Sequence, residues 1–143
     1  MITVFRIENF KGDAAMVAEA LLLSAWDKMD AREDLAQVFD RASKGYGQLW
    51  GAYDGQVMLG CILTELQQRP KGRKICLVYL GAGGRMVEWW GPMSKMIGQW
   101  AASQEADTIE LIGRNGWQKW CRKLVPSART VKVHMAAPVE AFL

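Results

Sequence analysis

Two strand-like runs, GQLWGAYD (47–54) and QVMLGCILTELQQ (56–68), meet at Asp54-Gly55. Asp-Gly between apolar runs is a strong hairpin signal, because glycine supplies the positive φ that a tight reversal needs. The second arm is long. It runs into the basic turn RPKGRK (69–74) and then into a third apolar, β-branched run, KICLVYLG (74–81). Strands joined by reversals this short must lie antiparallel, so the spacing predicts a three-strand meander.

The rest of the chain is organised around that meander. ITVFRIE (2–8) has strand character. GDAAMVAEALLLSAWDKM (12–29) carries apolar residues at intervals of three and four and predicts a helix, with Asp13 as its N-cap. AREDLAQVFDRASK (31–44) predicts a shorter helix that ends at Gly45. In LVYLGAGGRMVEWWGPM (77–93), an apolar strand meets a glycine cluster and then a helical pattern. Backbone N–H groups and a helix dipole converge at such a junction, which makes it an anion site or simply a turn. Met86, Trp89, Trp90, Met93, Met96, Ile97 and Trp100 recur at helical spacing. Gly91-Pro92 interrupts them, so this helix starts either near Trp89 or near Arg85 with a kink. DTIELIG (107–113) reads as a strand parallel to the preceding one, because a helix intervenes. NGWQKWCRKLV (115–125) reads as a short helix and RTVKVHMAA (129–137) as a last strand.

A chain of 143 residues is expected to form one domain, spanning 1–143. Its longest apolar run, AEALLLSAW (18–26), is far short of the roughly 20 residues a membrane span needs and reads as a buried helix. The N-terminus lacks the layout of a secretory signal, which leads us to expect the cytoplasm or the inside of a particle. A net charge of +3 is too mild to argue for nucleic acid. The basic clusters at 69–74 and 114–123 read first as solvated faces. Three cysteines without a CxxC pair and one histidine, His134, make a structural zinc site implausible, and no metal is expected. Cys61 and Cys76 lie in strand-like runs and read as buried thiols. Of the seven tryptophans most should anchor a core, and any surplus would mark a partner interface.

The element order resembles the GNAT acyltransferase superfamily. The resemblance covers almost the whole chain and rests on LWGAYDGQVMLGCILTEL (49–66), CLVYLGAGG (76–84) and ADTIELIGRNGWQKWCRKL (106–124). The IGRNGW segment (112–117) is similar to small GNAT-like proteins encoded by tailed phages and prophages. The resemblance implies an α/β (α+β) fold: a mixed, mostly antiparallel central sheet flanked by helices and splayed between the fourth and fifth strands. It also implies acetyl-CoA or a related acyl-CoA as cofactor. Pantetheine would pair with Cys76, Leu77, Val78, Tyr79 and Leu80. The pyrophosphate would meet Gly81, Ala82, Gly83, Gly84, Arg85 and Met86. The family's loop opens with Gln or Arg before the glycines, whereas here Arg85 follows them.

Acyl transfer to an amine needs a base for the amine proton and an acid for the departing thiolate. The resemblance implies a glutamate on the meander as base. Glu65 is the first candidate and Glu110 the second, although each reads first as a solvent-facing strand residue. Glu88 is expected to be solvated. The family's acid is a tyrosine in the helix after the fifth strand; it is absent here, and Tyr79 or Cys121 could substitute. Cys121 reads first as a half-buried thiol, His134 as one face of an edge strand, and Trp117 and Trp120 as core. Arg114 follows a strand end, where open α/β sheets hold ligands, and reads either as a ligand contact or as a salt bridge. Three functions follow: transfer of an acyl group to a small-molecule or protein amine; a catalytically degenerate phage protein that binds a protein partner or forms a homo-oligomer; and, least favoured, a nucleic-acid-binding module.

Overall fold

The computed structural model describes residues 1–26 and 33–112. Five strands form one sheet in chain order: β1 (Ile2–Ile7), β2 (Gly47–Asp54), β3 (Val57–Gln68), β4 (Lys74–Gly83) and β5 (Thr108–Ile112). The first four pair antiparallel, and β5 joins β4 in parallel. The expected meander is present. Gly55, at φ 61, is the first residue of a two-residue loop between Asp54 and Val57. Glycine at that position suits the primed turns that match strand twist.

Helices cover both faces, and alternation along the strands sorts the core into two layers. Leu49, Cys61, Leu63, Leu77 and Tyr79 pack beneath α1 (Asp13–Trp26) and α2 (Leu35–Arg41). Trp50, Ile62, Cys76 and Val78 pack against α3 (Met86–Ser103). Of the tryptophans in the described residues, Trp26, Trp50, Trp89 and Trp90 are buried and Trp100 is half-buried, as core anchors should be. Cys61 and Cys76 are buried as expected, and the Cys61 thiol donates to the Ala18 carbonyl at 3.4 Å. Among the described residues no helix is long and apolar enough to cross a membrane.

Some local details differ from the sequence reading. The Gly12 carbonyl accepts the Met16 amide, so Gly12 is the N-cap of α1 and Asp13 is its first helical residue. An acid there still favours the positive helix end. Only one face of α1 is buried: Ala15, Ala18, Leu22 and Ala25 face the sheet, while Met16 and Leu23 are exposed. The chain leaves α2 through a tight turn at Gly45, with φ 96, a left-handed cap that glycine takes without strain. Helix α3 starts after Arg85 and contains Pro92 on its exposed side, where water can satisfy the carbonyl that proline leaves without a donor. The predicted helix at 115–125 and strand at 129–137 lie outside the described residues.

Burial pushes the Cys76 thiol up to about 11. Burial, followed by the charges of Glu65 and Glu33, pushes the Tyr79 phenol up to about 12. Both groups are neutral when protonated and ionise more readily in the unfolded chain. Their contribution is therefore complete below about pH 8.5 and is lost as the pH rises through the folded values. We expect stability to decline from about pH 9, by roughly 2–3 kcal/mol per group once each has ionised. Guanidinium unfolding followed from pH 8 to 11.5 measures the decline, and Cys76→Ala should remove the portion that sets in first.

Candidate functional site

The three groups proposed for proton transfer share one face of the sheet. Glu65 on β3 pairs with Leu77 on β4, which pairs with Glu110 on β5. One step along the same face, Leu63, Tyr79 and Ile112 form the next row. Paired residues project to the same side, so Glu65, Tyr79 and Glu110 all lie on the α1/α2 side. The backbones of Glu65 and Glu110 are two strand spacings apart, about 9–10 Å.

Glu65 does not face solvent: it is only 5% exposed. That overturns the reading of Glu65 as a solvent-facing strand residue. An Arg41 Nη2 donates to its Oε1 at 2.8 Å, and Gln67 Nε2 donates to its Oε2 at 3.3 Å. The same Arg41 nitrogen donates to Glu33 Oε2. The Glu33 backbone carbonyl accepts the Trp26 indole N–H at 2.9 Å, and the Trp26 ring lies on Tyr79 with centroids 5.5 Å apart. A continuous chain of contacts thus runs from Glu65 through Arg41, Glu33 and Trp26 to Tyr79. Its hydrogen bonds to Glu33 and Glu65 hold Arg41 more firmly in its charged form. Glu110 is half-buried and sits 3.9 Å from Arg69. Sequence reading missed Arg41 and Glu33. The available signal was helical: Arg41 falls three residues after buried Val38 and just before buried Ala42, so a cation sits on the sheet-facing edge of α2.

The glycine segment differs from the expected loop. Strand β4 continues through Gly83, so Gly81 and Gly83 are strand residues and only Gly84 and Arg85 turn the chain. Residues 79–82 of β4 face residues 63–61 of β3, one residue more on β4 than on its partner, so β4 carries a bulge. A Cβ on Gly81 would lie 1.6 Å from the Cys61 carbonyl oxygen. One on Gly83, at φ 137, would lie 2.2 Å from that of Leu59. Both glycines are demanded by contact with β3. Gly84 is different: nothing lies within 4 Å of a Cβ placed there. Its N–H donates to the Leu59 carbonyl, and its own carbonyl accepts the Trp89 indole N–H at 2.9 Å.

Arg85, at φ 56, occupies the N-cap of α3 in the left-handed region. Its guanidinium binds Glu88 and, at 3.1 Å, Asp54, which also lies 3.3 Å from the N-terminal ammonium. Arg85 hydrogen bonds hold both carboxyls below their ordinary range. Glu88 is solvated, as expected, although paired. The Glu88 N–H bonds back to the Arg85 carbonyl, while the amides of Met86 and Val87 precede any intrahelical acceptor. The β5 side of β4 is occupied from Ile75 to Tyr79, so Leu77, Val78 and Tyr79 already pair with β5 through their backbone. Any extended ligand pairing with β4 in place of β5 must do so from Leu80 onward. Arg114, Cys121 and His134 lie outside the described residues.

No protein-family model and no curated protein sequence matches the chain. Solved structures do. An aminoglycoside acetyltransferase from an uncultured soil metagenomic sample is 14% identical, with a TM-score of 0.71 over 97% of this chain and 99% of that one. A ribosomal-protein-alanine N-acetyltransferase from Brucella melitensis is 12% identical, with a TM-score of 0.67 over 95% of this chain and 98% of that one. A predicted acetyltransferase with acetyl-CoA, from Clostridium acetobutylicum, is 10% identical, with a TM-score of 0.66 over 95% and 96%. At these identities the likeness establishes the fold, a GNAT-like mixed sheet with a parallel β4–β5 pair, and leaves activity to be argued from the site.

The two kinds of glycine separate in a stability measurement. Gly81→Ala should lower the melting temperature by 10 °C or more, roughly, because backbone must move to admit the methyl group. Gly84→Ala should leave it within about 2 °C.

Proposed function

We propose that this chain is an acyl-CoA-dependent N-acyltransferase, acting in the cytoplasm on a small-molecule or protein amine. The observation that carries the reading is a buried carboxylate, Glu65, one row along the ladder from the buried phenol of Tyr79, on the face of the sheet beneath α1 and α2. The structural neighbours, which include acetyltransferases named for aminoglycosides and for a ribosomal protein, and one with acetyl-CoA, support the chemistry and the breadth of acceptor.

In this reading the thioester enters along β4 beyond Tyr79, with Leu80 to Gly83 beside the pantetheine. Its phosphates meet Gly84, the Met86 and Val87 amides, and Arg85. Contacts from 77–79 are then through side chains rather than backbone, and Arg114 remains a candidate contact. The site holds acetyl-CoA or a related acyl-CoA and needs no metal. Glu65 takes the amine proton, directly or through water, and Glu110 is the second candidate. Tyr79 stays protonated at neutral pH and can donate a hydrogen bond to the departing sulfur. Complete transfer from a phenol at about 12 to a thiolate with an ordinary value near 8.5 is uphill by roughly 5 kcal/mol. Its role is therefore a hydrogen bond that strengthens as charge develops on sulfur, not delivery of a free proton.

One observation favours a second reading. Arg85, a cation at the expected phosphate position, is engaged by two of the chain's own carboxylates. A phosphate must compete with Asp54 and Glu88 for it. A chain that had lost cofactor binding, such as a GNAT-fold phage protein working through a protein partner, could keep such an arrangement.

Calorimetric titration with acetyl-CoA separates the two. The acyltransferase reading expects a Kd in the micromolar range, about −8 kcal/mol, abolished by Gly84→Asp. Gly84 is the right position because a Cβ placed there has no neighbour within 4 Å among the described residues. Glu65→Gln should retain acetyl-CoA binding and lower kcat by about 100-fold in an amine screen. Absence of binding at millimolar acetyl-CoA selects the second reading.

A further inference from the structure

On the reading that Glu65 serves acyl transfer, we propose that Arg41 is its positioning residue, with Glu33 as the second anchor of the same guanidinium. Glu65 stands on β3 with its side chain almost wholly buried, and two donors fix its two oxygens: Arg41 from α2 and Gln67 from its own strand. A base must present its lone pair along one direction, and an error of an ångström is enough to lose most of the rate. Gln67 alone leaves the carboxylate free to swing about one bond. Arg41 removes that freedom from the opposite side.

Arg41 is itself held in place. One of its nitrogens bridges Glu65 and Glu33, and Glu33 is tied through its backbone carbonyl to Trp26. Trp26 in turn lies on Tyr79. The guanidinium therefore links both groups assigned to proton handling: it bonds Glu65, and it acts on Tyr79 both directly, opposing the upward push of burial, and through the indole. Arg41 is about a third exposed and Glu33 more so, whereas Glu65 is buried. The pair Arg41–Glu33 forms the solvent side of the constellation and Glu65 the inner side. Arginine suits this role because the two N–H bonds of its planar Nη2 point in fixed directions, one to each carboxylate. Lysine offers a single point charge and cannot hold two carboxylates in one geometry.

The test is a double-mutant cycle on the full chain, using Arg41→Lys and Glu65→Gln, assayed with acetyl-CoA and whichever amine the screen identifies. Arg41→Lys keeps the charge, so it is chosen to preserve the fold. It should lower kcat by about tenfold and leave acetyl-CoA affinity unchanged. Combined with Glu65→Gln it should add nothing further, because a positioning residue has no effect once its target is gone. Glu33→Gln, which leaves Arg41 with one anchor, should lower kcat by a smaller factor. If the two effects multiply, or if Arg41→Lys turns over normally while Glu65→Gln does not, the positioning role is overturned and the acyltransferase reading stands. Absence of turnover in the wild-type chain with every amine overturns both.

Discussion

The close approach of β3 and β4 at two glycines sets the architecture around the candidate site. Gly81 and Gly83 let the β4 backbone lie against the carbonyls of Cys61 and Leu59, a separation no side chain would permit. The bulge this accommodates puts one extra residue into β4 between its pairing with Leu63 and its pairing with Cys61. Below the bulge β4 is an ordinary central strand, paired on both edges and buried on both faces. Above it β4 runs on to Gly83, and the chain then turns into the first residues of α3. Leu77 stands below the bulge in the row that carries Glu65 and Glu110, and Tyr79 stands in the next row, with Leu63 and Ile112. Bulges are often found where a strand must redirect a side chain beside a site, and this one separates the buried ladder from the stretch of β4 nearest the proposed cofactor path.

Much of the fold was legible in the residues because its signals are local. Asp54-Gly55, the basic turn at 69–74, and the three- and four-residue spacing from Met86 to Trp100 each depend on a few neighbouring positions. The parallel direction of β5 followed from the helix that precedes it. What could not be read depends on distant partners. The glycines at 81 and 83 looked like a phosphate loop because a glycine's reason is invisible until its neighbour is known; here the neighbours are backbone groups far earlier in the chain, at Cys61 and Leu59. Glu65 looked like a solvated strand charge because Arg41, its counter-ion, lies on a helix 24 positions away. A buried carboxylate and an exposed one have the same letter, and only the partner decides which is affordable.

Two electrostatic arrangements on this protein have opposite characters. Around Arg41 only Glu65 is withdrawn from water, and each of its oxygens has a donor, so its geometry is fixed and substitutions should act on rate. Around Arg85 no member of the cluster is buried: Arg85, Asp54 and Glu88 all reach solvent. Asp54, Glu88 and the N-terminal ammonium are screened by salt and water there, and each contact is exchangeable. A charged ligand could replace the second set at little cost. It could not replace the first without rebuilding the face of the sheet. The distinction matches the division of labour proposed for them: recognition of a mobile cofactor at one, alignment of a proton acceptor at the other.

The order of the strands in the sheet is the order of the strands in the chain. The β2–β3–β4 ladders can close as successive hairpins with short loops, whereas β1 pairs with β2 across α1 and α2. Contacts of low sequence separation form quickly, so this meander is the natural place for folding to begin. The parallel β5 must wait for α3 to cross the sheet and is the late arrival. A folding transition state built this way would already contain the bulge and its two glycines while the β4–β5 pairing was still open. Substitutions at Gly81 should then slow folding itself, whereas substitutions in β5 should mainly hasten unfolding.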